Sequence, residues 1–138
     1  KQQEKSYWKL VRDVKKTLPY SKLITKVIKE TNDTLIHMRS DRERDRYMKK
    51  FEKEIYKKYE SSFKKMTFSQ GKLLIRLIDR ECDATSYELI KVYRGSFTAG
   101  FYQLFAKLFG ADLKSEYGSG KNDELIERII LQVESGQL

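Results

Sequence analysis

The stretch that decides the fold is GKLLIRLIDREC, residues 71–82. At about 100° per residue of an α-helix, its Leu, Ile and Cys side chains share one side of the helix and most of its charges share the other. The charges on that second side are Lys72, Arg76, Asp79 and Arg80. TFSQ at 67–70 has the form of a capping box, which begins a helix. We therefore predict an amphipathic helix with a solvated charged face, in which Gly71 allows a neighbouring helix to come close.

Glu81 is the charged residue of this stretch that falls on the apolar side. It also lies near the predicted C-terminus of the helix, where a negative charge is unfavourable. The sequence therefore predicts a cationic partner, for which Arg94 in the next helix is a candidate. The alternative is an unrecognised enzymatic site. Its residues would be Glu81, Tyr93, Arg94 and Ser96.

The first part of the chain predicts a long, charged helical hairpin. Apolar side chains recur at intervals of three and four over 5–38 and again over 41–65, which is helical periodicity. SDRE at 40–43 has the capping-box form that begins the second helix. Pro19 predicts a break or bend near residues 17–20, because proline removes a helical hydrogen bond. We expect the two segments to fold against each other as a hairpin over 5–66.

Residues 67–138 predict a compact apolar bundle of about four shorter helices. TSYE at 85–88 begins a helix that we expect to stop at Gly95. An aromatic helix follows at 97–110, and a Gly- and Ser-containing loop at 117–123 precedes the last helix. No stretch alternates convincingly with period two. The predicted fold is therefore all-α, a single domain over 1–138 with a long N-terminal hairpin and a bundle after it.

The aromatic helix is the most apolar feature of the second half. It is too short to span a bilayer, and its small residues would let other helices pack closely. Those small residues are Ala99, Gly100 and Ala106. We interpret the helix as part of the core. The alternative is a partly exposed patch that docks a partner or lies in a membrane interface.

Composition excludes several kinds of site. The single cysteine, Cys82, cannot form an internal disulfide, and its apolar neighbours indicate a buried thiol. With one histidine, His37, no zinc pattern can be assembled, and no nucleophile, metal or cofactor motif is recognised. No apolar run is long enough to span a bilayer. We identify no catalytic residues and expect no cofactor.

The net charge of +9 predicts attraction to anionic partners. The candidate binding face lies on the second helix of the hairpin and consists of Arg42, Arg46, Lys49, Lys50, Lys53 and Lys57. Interleaved tyrosines, Tyr47, Tyr56 and Tyr59, would be able to stack on nucleic-acid bases. The alternative is a mixed solvated face in which acids of the same helix pair with these bases. The acids are Glu43, Asp45, Glu52, Glu54 and Glu60.

Several motifs resemble an uncharacterised Bacteroidetes family of small secreted or envelope proteins, a domain of unknown function. They are YWKLVRDVKKTLPY at 7–20, MTFSQGKLLIRLIDREC at 66–82, SYELIK at 86–91, RGSF at 94–97, LFG at 108–110 and DELIERI at 123–129. The resemblance implies an N-terminal secretion signal ahead of this domain and a periplasmic or cell-envelope address, with the cytoplasm as the alternative. It implies no reaction. We therefore expect a non-enzymatic interaction domain whose partner is an envelope protein or an anionic lipid or polymer surface, with nucleic acid less favoured.

Overall fold

The computed structural model describes residues 2–109 and 123–138. They form the helices α1 (Gln2–Glu30), α2 (Asn32–Ile36), α3 (Asp41–Lys64), α4 (Phe68–Asp83), α5 (Glu88–Phe109) and α6 (Asp123–Glu134). No strand occurs in these two ranges, and the prediction of an all-α fold is confirmed. None of these helices is long and apolar enough to cross a membrane. Apart from Asp123, the loop expected at 117–123 lies outside the described residues.

The central helix is α4, which contains the stretch 71–82. Its N-terminus carries the predicted capping box, because the Thr67 hydroxyl accepts a hydrogen bond from the backbone N–H of Gln70 and the Gln70 side chain accepts one from the Thr67 N–H. On one side α4 packs against α1, and on another it packs against α5. The helix that contains residues 71–82 therefore contacts both α1 and α5.

Two hydrophobic clusters meet at α4. The larger one joins α4 to the second half of α1 and to α2, α3 and α5, and α4 supplies it with Leu74, Ile75, Ile78 and Cys82. The smaller one joins α4 to the first half of α1 and to α6, and α4 supplies it with Leu73 and Leu77. All six side chains are buried, and each aliphatic one contributes about 1.5–3 kcal/mol relative to exposure. Residues on α4 therefore hold both halves of the domain together.

Two glycines permit close contacts between these helices. A Cβ on Gly71 would lie 2.9 Å from Cδ1 of Phe105, so the bare backbone of α4 makes room for an aromatic ring of α5. The close approach expected at Gly71 is confirmed. A Cβ on Gly100 of α5 would overlap the hydroxyl of Tyr56 on α3 and lie 3.1 Å from its Cζ. Both contacts exist because no side chain intervenes.

One continuous helix, α5, replaces the two helices expected on either side of Gly95. The predicted stop at Gly95 is wrong, since the helix runs for 22 residues through it. A glycine inside a helix costs up to about 1 kcal/mol relative to alanine. Burial of Ile90, Tyr93 and Phe97 around it outweighs that cost. Phe97, Phe101 and Phe105 are fully buried, as expected for a core helix.

The expected packing of residues 41–65 against residues 5–38 as a hairpin is wrong. α3 lies chiefly against α5, whereas α1 lies chiefly against α4. Aromatic contacts explain the choice: Tyr56 and Phe63 of α3 have ring centroids 4.8 and 5.9 Å from that of Phe101 on α5. The apolar stripe of α3 thus meets the most aromatic helix of the chain, and the inner face of α1 is already taken by α4.

The break expected near residues 17–20 is also absent, because α1 continues through Pro19. Next to the proline, Thr17 donates a hydrogen bond to the carbonyl of Asp13 (2.7 Å), and Ser21 donates one to the carbonyl of Leu18 (2.8 Å). Leu18 and Ile24 are buried against the rest of the domain. This packing holds the helix together against a proline penalty of about 3 kcal/mol.

The two α5 glycines provide a matched test of the packing. No atom lies within 4 Å of a Cβ built on Gly95, so Gly95→Ala gains helix propensity and should raise the free energy of unfolding by about 0.5–1 kcal/mol. Gly100→Ala forces Tyr56 away from Phe101 and should lower it by about 1–3 kcal/mol. Urea unfolding measures both. Equal effects would contradict the contact between α3 and α5 described above.

Candidate functional site

The candidate site is a basic face on α3, defined by Arg42, Arg46, Lys49, Lys50, Lys53 and Lys57. All six side chains are exposed. Their spacing places them within a sector of about 100° of the helix, over a length of about 22 Å. Within residues 2–109 and 123–138, none of the six forms an ion pair. The basic face is therefore a row of cations that the described residues leave open.

Two acids of α3 that could have neutralised this row bind α5 instead. Asp45 accepts a hydrogen bond from the hydroxyl of Tyr93 (2.8 Å), and Glu52 accepts one from the hydroxyl of Ser96 (3.0 Å). Both lie toward the buried side of α3, next to Met48 and Ile55. The mixed-charge alternative therefore fails for these acids, although Glu60 does pair with Lys64 (3.3 Å), beyond the basic face.

The tyrosines of α3 are used in packing. Tyr56 makes an edge contact with Phe101, Tyr59 stacks on Phe63 at 6.0 Å, and Tyr47 stacks on Phe51 at 6.3 Å. All three tyrosines are half-buried and belong to the rim of the larger hydrophobic cluster. They do not form the exposed stacking platform that recognition of single-stranded nucleic acid uses.

The four polar residues considered for an enzymatic site have separate partners. Tyr93 and Ser96 bond to the two acids of α3, as described above. Arg94 pairs with Asp79 (3.3 Å) and Asp83. Glu81 bonds to other residues. The structure therefore gives each member its own structural contact and shows no shared constellation among them.

Glu81 is held by two cations. Its carboxylate lies 2.7 Å from Nζ of Lys22 on α1 and 2.8 Å from an Nη of Arg80, and its side chain is 12% exposed. The hydrogen bond to Glu81 is the main reason that the pKa of Lys22 is raised above its ordinary value. Glu81 thus has the predicted ion pair, but its partners are Lys22 and Arg80 and not Arg94. The reason is geometric: Glu81 faces α1, whereas Arg94 reaches the other side of α4.

These contacts extend into a network that joins three helices. Lys22 also lies 3.3 Å from Glu134 of α6, and Nε of Arg80 lies 2.5 Å from Glu127 of α6. Charges from α1, α4 and α6 alternate around the end of the smaller hydrophobic cluster. Each charged group of this network has a partner of opposite charge, so none of them is left free to act as an acid or base in proton transfer. We interpret the network as structural.

The two residues with intrinsic reactivity have ordinary roles. Cys82 is fully buried, and burial raises the pKa of its thiol to about 11, so the thiol stays protonated at neutral pH. The buried thiol expected from the sequence is confirmed. His37 is exposed at the end of α2, where Nδ1 lies 2.6 Å from the carbonyl oxygen of Asp33. In the described ranges, no group of three His, Cys, Asp or Glu residues could hold a metal ion.

Glu52 is the perturbed group that the sequence did not reveal. Burial raises the pKa of its carboxyl group, while the hydrogen bond from Ser96 and the charge of Lys49 act in the opposite direction. It also lies beside the hydroxyl of Tyr56, whose pKa is raised mainly by burial and also by the charge of Glu52. Sequence spacing placed Glu52 among solvated charges, because only the structure shows that α5 covers this side of α3.

Removal of the Glu81 charge tests the network. Glu81→Gln should lower the free energy of unfolding by about 1–2 kcal/mol at neutral pH, because Lys22 and Arg80 lose a shared charged acceptor. The matched control is Glu127→Gln, whose half-exposed carboxylate should contribute less than about 1 kcal/mol. Urea unfolding measures both variants. A larger decrease in the free energy of unfolding for Glu127→Gln than for Glu81→Gln would contradict the assignment of Glu81 as the main acceptor of the network.

The raised pKa of Glu52 predicts a pH-dependent stability. A carboxyl whose pKa is higher in the folded state destabilises the fold above both pKa values, and this penalty vanishes as the pH falls below the unfolded value of about 4.3. Glu52→Gln keeps an acceptor for Ser96, so it should be more stable than the parent at pH 7 and lose that advantage near pH 3. Thermal unfolding over this range provides the measurement. The exposed Glu54→Gln is the control, and a similar gain there would contradict the argument.

No curated protein and no solved structure matches the chain. A family model described as a domain of unknown function, DUF4294, matches residues 1–132, which bears out the resemblance to a family of unknown function. This match spans α1 to α5 and most of α6. Because the match covers nearly the whole chain, the chain belongs to the DUF4294 family of domains of unknown function.

Proposed function

We propose that this domain is a non-enzymatic interaction domain of the cell envelope, which binds an acidic partner through the basic face of α3. One observation carries the proposal. Six exposed cations share one side of the helix and form no ion pair within the described residues, while Asp45 and Glu52 of the same helix are bound to α5. The partner is an envelope protein with an acidic surface, or an anionic lipid or polymer surface.

The physics of such a face favours an extended anionic partner. Isolated exposed charges contribute little to affinity, but a row on one rigid helix acts together and adds to the field of a chain with net charge +9. This arrangement speeds encounter with an acidic surface and orients it along the helix. Because the cations are exposed, salt should weaken the interaction strongly.

The envelope address in this proposal comes from the sequence resemblance, and the choice of partner follows from the address. A nucleic acid fits less well, because Tyr47, Tyr56 and Tyr59 are occupied in aromatic contacts. An enzymatic site is disfavoured because the polar residues considered for it bind structural partners. What remains unexplained by the fold is the basic face.

The test compares two charge-matched triple variants in cells of the source organism. Lys49→Gln, Lys53→Gln and Lys57→Gln together remove half of the basic face, whereas Lys58→Gln, Lys65→Gln and Lys91→Gln remove three exposed charges elsewhere. After fractionation of cells that carry the full-length protein, we expect the parent and the second variant in the envelope fraction. The first variant should be released from its partner at a lower salt concentration.

Each outcome bears on one part of the proposal. Equal release of both variants would show that net charge alone controls retention and would remove the basic face as the binding site. Recovery of the parent from the cytoplasm together with nucleic acid or ribosomal proteins would contradict the envelope address. Circular dichroism of the purified variants checks that all of them retain the helical fold.

A further inference from the structure

The outer face of α1 is a second surface that the fold leaves open. The inner face of α1 is buried and includes Val11, Val14, Leu18 and Ile24. Helical geometry places another set of side chains opposite, on a strip about 32 Å long between residues 5 and 26. This outer face points away from the hydrophobic clusters and is therefore free of any role in the core.

Between residues 5 and 26, the charges on the outer face of α1 all have one sign. Its exposed cations are Lys5, Lys9, Arg12, Lys15, Lys16 and Lys26. Over the described parts of the chain, none of them makes an ion pair. The helical projection places no carboxylate among them, because Asp13 is on the buried side and Glu4 lies at the flank. The exposed Glu30 follows on the same side, one turn beyond Lys26. The strip therefore differs from an ordinary solvated face, in which both signs alternate.

Two large apolar side chains lie among these cations. Trp8 remains 56% exposed although its ring contacts Tyr7 at 5.1 Å, and Leu23 is 52% exposed. They are about 22 Å apart along the same side of the helix. A partner that only neutralises charge leaves both in water, whereas a bilayer interface accepts indole and leucine side chains between its headgroups.

We propose that the outer face of α1 binds an anionic lipid bilayer, with α1 lying along the membrane surface. The lysines and Arg12 contact lipid phosphates, their aliphatic stems cover the interface, and Trp8 and Leu23 enter it. The arrangement suits this partner, because one continuous helix presents all these groups on one side. The surface is distinct from the basic face of α3, so either can fail without the other.

The single tryptophan of the chain makes the test direct. Fluorescence of the full chain reports Trp8 alone when it is excited at the long-wavelength edge of indole absorption, where the nine tyrosines absorb little. The probes are vesicles of phosphatidylcholine, with or without an equal part of phosphatidylglycerol. We expect a blue shift that saturates with the anionic vesicles and is absent with phosphatidylcholine. Lys9→Gln, Arg12→Gln and Lys16→Gln together should weaken binding roughly 100-fold, since each cation near an anionic surface contributes a factor of about five.

Two further variants separate lipid binding from general attraction. Leu23→Ser keeps every charge and should weaken binding by roughly tenfold through lost apolar contact. The triple variant at Lys58, Lys65 and Lys91 removes equal charge elsewhere and should bind more tightly than the α1 triple variant. Circular dichroism confirms that each variant is folded.

The proposal is overturned by the absence of a blue shift with anionic vesicles, whether or not the protein co-sediments with them. Equal loss in the two triple variants, or unchanged binding of Leu23→Ser, would overturn it as well. A spectral change with polyglutamate or single-stranded DNA, but not with vesicles, would assign the outer face of α1 to a different polyanion and would also overturn the lipid assignment.

Discussion

Burial of α4 on two sides is the constraint on which the rest of the structure depends. Leu73 and Leu77 face the smaller cluster with α1 and α6, while Leu74, Ile75 and Ile78 face the larger cluster with α3 and α5. An arc this wide leaves only one narrow side of α4 for solvent. Neighbouring helices must therefore cover the remainder. That requirement places α1 and α5 against α4 and turns their other faces outward.

The same constraint explains the polar chemistry around the core. Glu81 falls inside the apolar arc of α4, at the border between the two clusters, where an unpaired carboxylate would be costly. Lys22 from α1 and the adjacent Arg80 meet it there, and α6 supplies further acids to both cations. Glu81, which the sequence analysis considered for an enzymatic site, thus forms ion pairs that connect α1, α4 and α6.

Local signals predicted much of this fold. Capping at Ser40 and Thr67, the periodicity of the helices, the buried thiol of Cys82 and the space at Gly71 all follow from short stretches. Local signals did not predict where helices continue through a breaking residue or which helices pack against each other. Pro19 was predicted to break or bend a helix and Gly95 to end one, yet both helices continue, because buried neighbours outweigh the local cost. Pairing of α3 with α5 depends on aromatic contacts between residues about 40 positions apart, which helical periodicity does not encode.

In the candidate site too, some features follow from local sequence and others depend on how the helices pack. Exposure of the six cations of α3 follows from their spacing, but their freedom from ion pairs depends on where Asp45 and Glu52 turn. Hydrogen bonds from Tyr93 and Ser96 on α5 hold these two carboxylates. The sequence analysis had grouped Tyr93 and Ser96 with Glu81 and Arg94. The structure thus moves two residues from a candidate reaction site to the support of the basic face.

The central claim is that the partner meets the outer side of α3. The most direct measurement places a photo-reactive amino acid at Lys50, on the basic face, or at the exposed Gly95 of α5, where no atom lies within 4 Å of a Cβ, and irradiates intact cells of the source organism. The account predicts that one dominant envelope species cross-links through position 50 and does not cross-link through position 95. Capture through position 95 alone would contradict it and would return the candidate site to the residues around Glu81, Tyr93 and Arg94.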